Sequence, residues 1–88
     1  MTFKEKIDCL IRVDKDYDTL KEIAFGLIAE SEDKASNLED SITKEQLEEL
    51  LRMKRILEKD FSALESHLNK LVYLIKSIDA RSKGLLSL

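Results

Sequence analysis

Eighty-eight residues allow one domain at most. Proline and tryptophan are absent, there are two glycines, and 38% of residues are charged against 43% apolar, so long helices are favoured over a sheet joined by tight turns. With 15 basic and 18 acidic side chains the net charge is −3, which excludes a global positive field that would draw the chain to nucleic acid.

The first predicted helix opens at Thr2, where Thr2 and Glu5 have the spacing of a capping box. Apolar residues then fall alternately three and four apart at Leu10, Val13, Tyr17, Leu20, Ala24 and Leu27, which is a heptad seam. Ile7, Ile23 and Ile28 widen the stripe. The next two seam positions are Ser31 and Lys34, so the helix is expected to fray towards residue 36. Gly26, inside the helix, marks either close approach of a second helix or a tolerated weak spot costing about 1 kcal/mol against alanine.

A connection over 37–43 leads to a second start, read at Thr43 as N-cap with Gln46 three residues on and Ile42 and Leu47 placed as a hydrophobic staple. Behind it a heptad frame runs through Leu47, Leu50, Lys54, Leu57, Phe61, Leu64, Leu68, Leu71, Ile75, Ile78, Ser82 and Leu85. The basic stretch Arg52, Lys54, Arg55 and Lys59 is interleaved with Glu48, Glu49, Glu58 and Asp60 and reads as a solvated helix face. A helix of about 40 residues would be about 60 Å long. Gly84 is the expected stop, followed by an apolar tail over 84–88.

The predicted fold is therefore all-α, a single domain over 1–88. It is a long antiparallel helical hairpin, coiled-coil-like, with helix 1 over about 3–36 and helix 2 over about 44–83. A two-helix core is thin at this size. Ile11 and Phe25 lie off the seam on helix 1, and Val72, Tyr73 and Leu74 make helix 2 apolar nearly all round. With Leu85, Leu86 and Leu88 of the tail they are the candidate partner-binding residues. The expected occupant of this surface is a second copy, giving a homodimeric bundle, or a helical segment of another protein.

Tests for chemistry return little. Asp14, Asp16 and Asp18 have the spacing that opens a calcium-binding loop, but the sixth position is Thr19 where glycine is needed and the twelfth is Phe25 where glutamate is needed. His67 and Cys9 are single copies, so one chain cannot assemble a Cys/His metal cluster, and His67 reads as a boundary residue. Glycines at 26 and 84 alone cannot build a phosphate loop. No cofactor, metal or small-molecule substrate is expected. The single cysteine fits a reducing, cytoplasmic compartment. The first six residues lack a signal-peptide core, and the longest apolar run, Leu71 to Ile75, is five residues against the roughly 20 of a membrane span.

Two resemblances bear on function. From Tyr17 to Leu68 the chain resembles the flagellar and type III export chaperones of the FlgN/FliT kind. The resemblance rests on Leu20 to Ile23, an acidic segment over Glu30 to Asp40, and the Lys- and Leu-rich stretch from Leu47 to Lys59. It implies a cytoplasmic, non-enzymatic chaperone or adaptor that sheathes an amphipathic helix of an export substrate, with partner binding in the C-terminal region from Val72 to Leu88. Leu10 to Asp14 also resembles the start of the helical chorismate mutases, in which case Arg12 and Lys54 would be the inward-facing cations. A structural homodimer and a small regulatory or immunity protein remain as alternatives.

Overall fold

Each of the two predicted rods is folded back on itself. The computed structural model describes residues 1–12 and 16–86, with Leu85 and Leu86 as backbone only. The described elements are four helices, α1 Phe3–Arg12, α2 Tyr17–Ser36, α3 Ser41–Lys59 and α4 Leu64–Leu86, with one 3₁₀ turn at Phe61–Ala63 before α4. The expected all-α class holds. The expected pair of long uninterrupted helices does not.

Aspartates make the corners. Asp16 holds an extended backbone and its carboxylate accepts the Thr19 N–H at 2.9 Å and the Thr19 hydroxyl at 2.8 Å. Asp40 repeats the device, accepting the Thr43 N–H at 2.7 Å and its hydroxyl at 2.8 Å. Asp60 ends α3 and caps the 3₁₀ turn, taking the Ser62 N–H at 3.1 Å and its hydroxyl at 2.6 Å. An aspartate oxygen satisfies the free N–H groups that a helix start leaves, and aspartate competes poorly inside a helix. Helix 3 therefore begins at Ser41 and not at Thr43, because Asp40 is the better cap and recruits Thr43 as its buried donor. At Thr2 one half of the expected capping box is made, the Thr2 hydroxyl accepting the Glu5 N–H at 3.2 Å, without a return bond to the Glu5 carboxylate.

The helices pack up and down. Lys6 of α1 reaches Glu30 of α2 at 2.9 Å, Lys54 of α3 reaches Glu32 of α2 at 3.3 Å, and Lys70 of α4 reaches Glu49 of α3 at 3.5 Å. Helices α2, α3 and α4 contact one another, and α1 lies on α2 with lesser contact to α4. Lys34 joins three helices, its ammonium 2.8 Å from Asp79 of α4 and 3.6 Å from the ring centroid of Phe3 in α1. The chain measures 40 × 25 × 17 Å with a radius of gyration of 12.7 Å, near the ~12 Å of a compact domain this long.

The core runs through all four helices and includes Leu10, Leu27, Ile28, Leu50, Leu57, Leu71, Ile75 and Ile78. Most of the predicted seam is in it. Ser31 is fully buried and Lys34 is bridging, so the helix 1 stripe continues where fraying was expected. Gly84 lies within α4 and not after it. Nor does Gly26 mark a close approach: an added Cβ would meet nothing within 4 Å, since Gly26 lines an open groove between α1 and α2.

Gly26→Ala should therefore gain helix propensity without a clash, raising stability by about 1 kcal/mol. Leu50→Ala, which empties a fully buried site, should lose about 2–5 kcal/mol. Urea melts of the two variants measure both signs.

The corners also set an acid limit. Backbone and side-chain hydrogen bonds from Thr19 and Thr43 hold Asp16 and Asp40 below the usual 3.8, as hydrogen bonds from Ser62 do for Asp60. At Asp79 partial burial pushes upward, but the Lys34 and Lys83 ammonium groups outweigh it and the net shift is downward. A carboxylate with a depressed folded pKa contributes stability above its unfolded value, and that stability is lost as pH falls through the folded value. Thermal melts should stay level with respect to these four groups from neutrality to about pH 4 and fall below it. Asp40→Asn should flatten part of that acid slope.

Candidate partner-binding groove

The eight residues singled out from the sequence do not form one patch. Tyr73 points outward on α4 and is 62% exposed, whereas Leu74 beside it is 1% exposed and belongs to the core. Val72 is half-buried against the same core. The apolar run at 71–75 divides because each helical residue turns about 100° from the last. Leu71, Leu74 and Ile75 face inward, and Tyr73 alone faces out. Leu74 as an accessible contact is therefore corrected: α4 has helices on two sides, and both consume apolar surface that a two-helix hairpin would leave bare.

Phe25 is half-buried with its ring 5.9 Å from that of Phe61, which Tyr17 meets edge-on at 5.2 Å. Ile11 is 46% exposed on α1. Leu85 and Leu86 sit in the last turn of α4, and their side chains lie outside the described structure. Leu88 and the Val13 and Asp14 positions of the seam and of the calcium-loop pattern lie outside the described residues.

Two further apolar residues border the seam that Tyr73 overlooks. Ile42 is 50% exposed and Ile56 is 37% exposed, and with Glu49 they recur every seven residues, forming one line along α3. The ion pair from Glu49 to Lys70 places that line at the α4 side. On α4, Tyr73 follows Lys70 by three residues and precedes Ser77 by four, and Ser77 accepts a 2.9 Å hydrogen bond from Gln46 of α3. The outer side of the α3/α4 seam is thus lined by Ile42 and Ile56 on the α3 side and Tyr73 on the α4 side, with the surface ion pair of Glu49 and Lys70 bridging the two helices. Ile42 is not a staple residue under this arrangement, since the cap lies two residues before it. The seven-residue spacing of Ile42, Glu49 and Ile56 was the signal available in the sequence.

The side chains that could carry chemistry are dispersed. The His67 ring nitrogen Nδ1 lies 2.9 Å from the Ala63 carbonyl and 3.1 Å from the Ser66 hydroxyl, closing the first turn of α4. The Cys9 thiol lies 3.9 Å from the Met1 sulfur. Arg12 is exposed on α1 while Lys54 is paired with Glu32. Among the described residues no group of three or more His, Cys, Asp or Glu side chains could hold a metal ion, and no helix is long and apolar enough to cross a membrane. No family model, curated protein or solved structure matches the chain.

Proposed function

We propose that this chain is a non-enzymatic protein-binding module, a cytoplasmic adaptor or export-type chaperone that receives an amphipathic helix in the α3/α4 groove. The observation that carries the reading is large apolar side chains held in water on a bundle whose own core is already filled. Ile42, Ile56 and Tyr73 are exposed along one seam although the same helices bury Leu50, Leu57, Leu71 and Ile75. Exposed apolar residues rimmed by charge are the usual anchors of a helix-in-groove contact, with apolar residues of the guest spaced three and four apart. Glu49 and Lys70 bridging the two helices favour a guest that carries both signs beside its apolar stripe. The filled core also removes the need for a second copy to complete the fold, which weighs against an obligate dimer.

Ile42→Glu combined with Tyr73→Glu tests the groove, because both side chains are exposed and their loss leaves the core intact. Affinity capture from the native host should recover a protein with the wild type and with the control Ile11→Glu, and lose it with the double variant, at unchanged helicity. Recovery of the same proteins by all three would overturn the assignment.

A further inference from the structure

The outward face of α3 carries charges that no described residue answers. Lys44, Glu45, Glu48, Arg52, Arg55, Glu58 and Lys59 are exposed, and none of their side chains forms an ion pair or hydrogen bond among the described residues. The flanks of the same helix differ, since Lys54 is paired towards α2 and Glu49 towards α4. Intrahelical pairing of Glu48 with Arg52, four residues on, is open to the sequence but is not made.

Apart from Lys59, which stands nine after residue 50 and opposite the uncharged Ser41, the signs of these residues are antisymmetric about residue 50. Glu48 and Arg52 stand two residues either side of it, and Glu45 and Arg55 five. Lys44 and Glu58, each opposite in sign to its own half, stand six before and eight after, on the same edge of the face. A two-fold axis crossing a helix at right angles opposes a residue before the centre to one equally far after it in the other copy. Two copies laid antiparallel along α3 therefore bring Glu45 and Glu48 of each against Arg52 and Arg55 of the other, and Lys44 against Glu58. A parallel arrangement would set like charges together. Leu51, beside the centre, is half-buried and outside the core cluster, and the same axis brings it against its own copy.

We infer that the chain self-associates through α3 as an antiparallel dimer, the occupant of this face being a second copy. The surface adjoins the α3/α4 groove at Ile56, four residues after Arg52, while Ile42 and Tyr73 stay outside it. Exposed ion pairs are individually weak and screened by salt, so the dimer is concentration-dependent and dissolves as ionic strength rises.

Sedimentation velocity over a concentration series at low salt tests this. The wild type should pass from monomer to dimer, and return to monomer at about 1 M salt, where screening acts beyond about 3 Å. The variant with four central acids, Arg52→Glu/Arg55→Glu, and the variant with four central bases, Glu45→Arg/Glu48→Arg, should each associate at least about tenfold more weakly, because like charges then meet twice by symmetry. Mixing the two should restore a dimer of one of each. Ile42→Glu/Tyr73→Glu should dimerise as the wild type does, which separates this surface from the proposed groove. A wild type that stays monomeric at low salt up to millimolar concentration overturns the inference. So does a dimer that both charge variants form unchanged.

Discussion

The structure depends on three carboxylates that stop helices. An aspartate that accepts the N–H of a residue two or three ahead occupies an extended backbone conformation, and a straight helix cannot pass through it. Asp16, Asp40 and Asp60 each do this, with Thr19, Thr43 and Ser62 as donors. Their positions divide the described chain into segments of 10, 20, 19 and 23 helical residues. None of these could bury its stripe alone, and together they close one core.

Charged links between helices then set how the segments meet. Lys34 is the most connected of them, lying on the Phe3 ring and on the Asp79 carboxylate, so α1, α2 and α4 share one pin. Lys6 and Glu30 hold the short α1 further along. Arg81 lies 3.3 Å from the Asp40 carboxylate and ties the end of α4 to the cap that starts α3. Exposed pairs of this kind add little energy each, and their value lies in choosing one register over its neighbours. A bundle pinned in this way offers rigid outer faces. On α3 one such face is apolar and borders α4, and the other is charged and points away from the molecule.

How much was legible depends on what periodicity measures. The heptad frame from Leu47 to Ile78 named core residues well, because Leu50, Leu57, Phe61, Leu64, Leu71, Ile75 and Ile78 are buried. It did not show that the chain reverses between Leu57 and Leu64, since a corner can keep the same side chains inward. The corners were written in local chemistry instead. Asp-x-x-Thr occurs at 16–19 and again at 40–43, and Asp-x-Ser at 60–62. Counted as members of charged runs, they looked like ordinary surface. The mistaken start at Thr43 has the same origin, for a threonine that satisfies a capping pattern can also be the donor to a stronger cap upstream. The groove was half legible: Tyr73 stood out, but Leu74 could be told from it only once the helices covering α4 were known.

The central claim is that both long apolar stripes fold back on themselves within one copy. Small-angle X-ray scattering at low concentration and high salt, where self-association is suppressed, measures this directly. The account predicts a compact particle with a radius of gyration near 12.7 Å and a longest dimension near 40 Å, each slightly enlarged by side chains and hydration. A rod approaching the ~60 Å of an unbroken helix of about 40 residues would contradict it.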